Sequence, residues 1–225
     1  SMPVEEFAVH IPFSAEARAA LDKLEFRTLV HSSLFDEYET SDAECVTLPE
    51  KEVFEAALAQ ADHFSFAEDG EGGTHVCIGS TEYIFPIKKT LLEPGYFPED
   101  ITKLFAPLFA GNKRAIVADY KALLHRFASS PVTCPVEDVG LLSYLLNSGR
   151  KATTAEDFAR EYALPASNCA YALMRAFRDA ERVADDNCNR LYRELELPLS
   201  RVLYEMEETG VRVDEEKFPE LSARY

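Results

Sequence analysis

The sequence predicts an α/β fold: a small mixed sheet with helices packed against it, then a helical tail. Three observations carry this expectation. Between residues 63 and 87, three short apolar runs are separated by turn residues, the pattern of an antiparallel meander. Residues 114–118 form a compact apolar run ahead of a helical pattern, as a parallel strand does when it feeds a helix. From Asp138 onward the apolar residues recur at helical spacing.

Taken in order, Ser14 can cap a first helix with Glu16 in its positively polarised first turn, and Ala17, Leu21, Leu24 and Thr28 follow at helical spacing. Residues 32–47 turn polar and acidic and read as a linker. A helix is expected over 50–60. Strands are expected over 63–67, 74–79 and 82–87, with Val76 and Ile78 on one face and Ser80-Thr81 as a tight connection. A helix over 100–109 follows Pro98, then a strand over 114–118, a helix over 119–127 and a strand over 132–136 interrupted by Pro135. In the tail, Leu191, Leu195, Leu199, Val202 and Met206 share one helical face that Leu203 widens. Pro198 predicts a kink, because it cannot donate an N–H, and Gly210 suits the left-handed residue that ends a helix. Asp214 then caps a further helix, with Glu215 and Glu216 in its first turn.

Composition narrows the function classes. A 225-residue chain that is 47% hydrophobic, with 15 Phe and 10 Tyr, can fill a sizeable core. No apolar run approaches the roughly 18–20 residues of a membrane span, and residues 1–10 lack the marks of a signal peptide. The opening Ser1-Met2 reads as the remnant of a removed tag, so the chain is expected to be a piece of a longer one. A cytoplasmic location without membrane contact is the expectation. The net charge of −17 repels phosphate backbones, and the best basic cluster, Lys113-Arg114, is too short for a nucleic-acid footprint. The isolated chain is therefore expected to bind DNA weakly or not at all. Five scattered cysteines without a CxxC pair argue against a disulfide framework and a structural zinc site. No GxGxxG, Walker-type loop or GxSxG is present.

One stretch raises a sharper question. Residues 62–73, DHFSFAEDGEGG, run from an apolar strand into Glu68, Asp69 and Glu71. Acids at the end of a buried strand are a common way to hold metal ions, yet the same pattern fits an acidic turn. His63 and His75 flank it and read as solvated or packed side chains rather than ligands.

Three segments carry a resemblance. Residues 191–217, LYRELELPLSRVLYEMEETGVRVDEEK, contain E-x-E-x-P-L-x-x-V-L-x-x-M-E-x-x-G-V-x-x-D, which resembles the helix leading into the polymerase domain of the bacterial DNA polymerase I family (family A DNA polymerases). Residues 138–148, DVGLLSYLLNS, are similar to the family's D-x-x-L-x-S-Y-x-L-N-S segment inside the 3′–5′ exonuclease domain. Residues 24–29, LEFRTL, are similar to the L-E-F-x-S-L segment that joins the 5′ nuclease to that domain. The resemblance implies an RNase H-like, DEDD exonuclease-type sheet. It implies a helix and linker from the 5′ nuclease side over 1–47, an exonuclease-like domain over 48–190, and a helical connection over 191–225 to a polymerase domain of the same chain. DNA would be met through the full-length protein.

An active member of that exonuclease family holds two divalent ions, roughly 3.5–4 Å apart, with four acids. Followed onto this chain, F-D-x-E-T falls on residues 66–70, so Ala67 replaces the first acid and Asp69 stands at the second. Using Glu68 instead would slip the strand by one and reverse its faces. N-x-x-x-D falls on residues 119–123, placing Leu123 at the acid and making Asp119 a helix cap. Y-x-x-x-D falls on residues 171–175, placing Arg175 at the acid. The resemblance thus implies a degenerate exonuclease-like domain with no catalytic residues and no cofactor, acting as a scaffold for the polymerase domain, in which Arg175 and Asp69 lie close enough to pair. The alternative is an active Mg²⁺-dependent exonuclease with ligands drawn from Glu68, Asp69, Glu71, Asp119 and Asp179.

Overall fold

The computed structural model describes Ala17, Ala20, Leu21, Lys23, Leu24 and residues 43–90, 92–149 and 152–212. The expected cap at Ser14, the LEFRTL segment beyond Leu24, and the cap at Asp214 lie outside them. The chain divides into two compact units, Ser1–Asp42 and Ala43–Tyr225, and the architecture below belongs to the second.

That unit is α/β, with a mixed six-stranded sheet. In chain order the elements are β1 (Glu44–Thr47), α1 (Lys51–Gln60), β2 (His63–Glu68), β3 (Thr74–Ile78), β4 (Thr81–Phe85), α2 (Pro98–Phe109), β5 (Arg114–Val117), α3 (Tyr120–Arg126), β6 (Val136–Asp138), α4 (Val139–Leu146), α5 (Ala155–Glu161), α6 (Cys169–Val183), α7 (Asp186–Leu191), a π-helical turn (Tyr192–Glu196) and α8 (Leu197–Thr209). The sheet order is β1-β4-β3-β2-β5-β6. Strands β2, β3 and β4 form the antiparallel meander, β5 and β6 continue it in parallel, and β1 pairs in parallel with β4.

Two expectations are corrected. Residues 44–47, read as linker, are an edge strand; the edge location explains why the polar pattern of ECVT hid it, since that strand's side chains are largely exposed. The last strand lies at Val136–Asp138 rather than 132–136. Pro135 has no N–H to give a ladder and offers only its carbonyl, which accepts from Ala115 N at 2.8 Å.

Strand alternation sends each half of the β2 sequence to a different layer. Phe64 and Phe66 enter a core with α1, α2 and α3, where the Phe66 ring meets Phe105, Phe109 and Phe127 at 5.6, 5.1 and 5.9 Å between centroids. Ser65 and Ala67 face the other way, toward α6, where Ser65 Oγ donates to Ala170 O at 2.6 Å and Ala67 joins the core built with α4, α5 and α6. At the entry to α4, Asp138 caps the helix by accepting from Leu141 N at 2.8 Å. Gly140 is required there, because a Cβ would come within 2.5 Å of Ala118 O.

The tail is tied down by its polar side. Tyr192 is fully buried; its hydroxyl accepts from Asp138 N at 2.7 Å and donates to Glu137 at 3.2 Å. The π-helical turn falls immediately before Pro198, which then sits in the first turn of α8, where a missing N–H costs little. Helix α8 lies along α3 through Lys121–Glu207 at 2.7 Å, His125 to Glu207 and Glu208 at 2.8 and 3.0 Å, and Arg201 to Tyr120 Oη at 2.9 Å. Gly210 ends the helix with φ +65° as the sequence predicts, although its ψ of −174° is extended rather than left-handed helical. The expected apolar face is present but unburied: Leu191, Leu195, Leu199, Val202, Leu203 and Met206 are all exposed, Met206 at 63%. Among the described residues, no helix is long and apolar enough to cross a membrane.

Candidate functional site

The end of β2 is where the sequence places its candidate acids. The strand closes into a turn in which Asp69 Oδ1 accepts from Glu71 N and Gly73 N at 2.9 and 2.7 Å. A Cβ at Gly73 would come within 2.6 Å of Asp69 Oδ2, so any larger residue there would displace the Asp69 carboxylate from this position. Asp69 is thus fixed by its own turn, with Oδ2 directed at His75 Nε2, 3.2 Å away.

The other candidates are each engaged elsewhere. Glu68 pairs with Arg126 at 2.8 Å, and Glu71 with Lys89 at 2.7 Å. Asp119 caps α3 by accepting from Ala122 N at 2.9 Å, the role the sequence suggests. Asp179 accepts from Tyr162 Oη at 2.9 Å and lies 3.7 Å from Arg182. His63 is exposed, whereas His75 is buried.

The positions that the resemblance aligns with exonuclease acids fall in different surroundings. Ala67 is 5% exposed on the α6 side of the sheet. Leu123 packs in the aromatic core on the opposite side. Arg175, on α6, lies over the Tyr162 ring at 5.1 Å to the centroid. The expected pairing of Arg175 with Asp69 is not found: among the described residues no ion pair joins them, because a ring holds the guanidinium while His75 and the turn hold the carboxylate. A pair of hard divalent ions needs convergent oxygen ligands, and this donor set does not fit one.

What the face does contain is a different cluster, one strand over. In the β2–β3 register Ala67 is paired with His75, so the histidine stands directly across the ladder from Ala67. Across the next ladder, Cys77 pairs with Glu82, which places Glu82 on the same inward face. His75 Nδ1 lies 2.9 Å from Glu82 Oε1, and Glu82 is fully buried. Glu82 also receives the start of α6: Oε1 accepts from Ala170 N at 3.0 Å and Oε2 from Tyr171 N at 2.9 Å. Cys169 Sγ is 3.8 Å from the same Oε1. Among the described residues, His75, Glu82 and Cys169 form the group of His, Cys, Asp and Glu side chains with donor atoms within 4.8 Å of one another; none of the five displaced acids belongs to it.

Burial works against a charged His75, but hydrogen bonds and charge from Glu82 and then Asp69 outweigh it and raise the imidazole's pKa above 6.5. The Cys169 thiol is pushed up by burial and then by the Glu82 charge, so in the absence of another cation it keeps its proton.

Sequence reasoning missed Glu82 and Cys169. The signal for Glu82 was available: in TEYIF, alternation with Ile84 puts a carboxylate on an inward face of a strand flanked by two others. Cys169 has no such signal, because only the packing of α6 brings it near residue 82.

Compared with known proteins, the chain matches no family model and no curated sequence.

Proposed function

We propose that this chain is a degenerate 3′–5′ exonuclease-like domain of a bacterial DNA polymerase I, with an RNase H-like fold, no nuclease activity, and a scaffolding role beside the polymerase domain in DNA replication and repair. The observation that carries the reading is Ala67: a buried methyl group near the end of a strand, at the position the resemblance assigns to the first carboxylate of a DEDD exonuclease. Leu123 in the aromatic core and Arg175 over Tyr162 support it, since neither can ligate a divalent cation. An antiparallel meander continued by parallel strands is the kind of sheet expected of an RNase H-like domain.

The exposed apolar side of α8 is consistent with a neighbour in the parent chain. Leu195, Leu199, Val202 and Met206 would be covered by the polymerase domain, with DNA reaching the assembly through that domain rather than through this acidic one. The test is the native coding sequence beyond residue 225. Family A polymerase motifs in the same frame support the reading; an unrelated continuation or a stop codon overturns the polymerase assignment.

A further inference from the structure

His75, Glu82 and Cys169 come from three separate elements, β3, β4 and α6, and converge in the core with all three side chains buried. Their meeting point is one atom. Glu82 Oε1 lies 2.9 Å from His75 Nδ1 and 3.8 Å from Cys169 Sγ. We infer that this trio is a binding site for a borderline divalent cation such as Zn²⁺, held by His75 Nδ1, Glu82 Oε1 and the Cys169 thiolate.

The donor chemistry selects the ion. Imidazole, carboxylate and thiolate together are the ligand types zinc takes, whereas Mg²⁺ and Ca²⁺ want oxygen alone. Tetrahedral zinc, with bonds of about 2.0–2.3 Å, spaces its ligand atoms by about 3.3–3.8 Å. The 3.8 Å sulfur–oxygen separation already meets that, and the 2.9 Å nitrogen–oxygen separation needs to open by about half an ångström.

The surrounding hydrogen bonds orient these ligands. A metal-bound histidine characteristically gives its other ring N–H to a carboxylate, and His75 Nε2 has Asp69 Oδ2 at 3.2 Å, itself fixed by Gly73 N and Glu71 N. Glu82 Oε2 is held by Tyr171 N and Oε1 by Ala170 N, which fixes the carboxylate with the remaining lone pair of Oε1 on the side of His75 and Cys169.

Binding one divalent cation displaces the Cys169 Sγ proton, and whatever proton His75 Nδ1 carries, to water, so the ion meets a neutral imidazole nitrogen, a carboxylate oxygen and a thiolate. No oxidation or reduction occurs. The bound ion would pin the start of α6 to the β3–β4 hairpin, independently of whether the domain descends from a nuclease.

The test is titration of the whole 225-residue chain, stripped with a chelator, with Co²⁺ as a spectroscopic stand-in for zinc. One equivalent of Co²⁺ is expected to bind, with a thiolate-to-cobalt charge-transfer band, net release of protons, and displacement by Zn²⁺. Cys169→Ser should abolish the band, Asp69→Asn should weaken binding by about 10–100-fold, and Cys188→Ser should change neither. Absence of the band in folded wild-type protein, or its survival in Cys169→Ser, overturns the site. Should Cys169→Ser fail to fold, zinc-edge X-ray absorption on the wild type decides: one sulfur with nitrogen and oxygen neighbours supports the site, and a shell without sulfur overturns it.

Discussion

Asp69 Oδ2 lies 3.2 Å from His75 Nε2, so the carboxylate that the resemblance aligns with an exonuclease acid is directed at a histidine rather than into an open site. His75 passes that connection inward to Glu82, and Glu82 to the first amides of α6. The chain from turn to helix start joins segments that are far apart in sequence, and it accounts for several measurable properties.

Glu82→Ala removes the acceptor for His75 and for two α6 amides, leaving buried donors unpaired. A loss of about 3–5 kcal/mol is expected in urea unfolding of the metal-free protein, the range for breaking a buried charged pair. Glu82→Gln keeps an acceptor and should lose clearly less. Equal losses for both variants would show that hydrogen bonding at this position is unimportant.

Ala67→Asp should not create nuclease activity, since Leu123 and Arg175 still provide no ligand. It should also lower stability, because Ala67 is buried in an apolar layer and both ring nitrogens of His75 across the ladder are already taken by Glu82 and Asp69, so the added polar group costs about 1–3 kcal/mol. Recovery of metal-dependent nucleotide release in this single variant would mean that the other ligands are present after all.

Solvent-facing positions on α8 should tolerate charge. Val202→Asp is expected to change unfolding free energy by no more than about 0.5 kcal/mol, whereas Phe105→Ala, in the aromatic core, should cost about 3–5 kcal/mol. A large loss for Val202→Asp would place that face inside this unit's own core.

His125 supplies the pH dependence at the α3–α8 contact. Hydrogen bonds that His125 donates to Glu207, then to Glu208, raise its pKa above 6.5, with nearby Lys121 sharing Glu207. The folded pKa exceeds the unfolded one, so this contact's stabilisation is complete below about pH 6.5 and is lost as pH rises through the folded value. Amide exchange in α8 should therefore quicken, relative to its intrinsic rate, above that pH, and His125→Gln should remove the step. An NMR-titrated His125 pKa at or below 6.5 would contradict this.

Much of the fold is legible in local sequence. The meander, the parallel strand at 114–117 and the cap at Asp119 follow from alternation, turn residues and N-cap chemistry, each of which acts within a few residues. Strand β1 is not legible, because an edge strand with mostly exposed side chains needs no apolar pattern. The apolar side of α8 is legible as a face but not as an exposed one, because whether a face is covered depends on packing that the helix sequence does not report. That Ala67, Leu123 and Arg175 carry no carboxylate is plain from the sequence, while the His75–Glu82–Cys169 cluster depends on β-ladder register and helix packing across a sequence separation that no local pattern reports.

The most direct test of the account is release of nucleotides from the 3′ end of single-stranded DNA by the purified chain, at high protein concentration, with Mg²⁺ or Mn²⁺. The account predicts no release above a no-enzyme control with either ion, and no difference between wild type and Asp69→Asn. Release that grows with protein concentration and is abolished by Asp69→Asn would contradict it and establish a working site built from displaced acids.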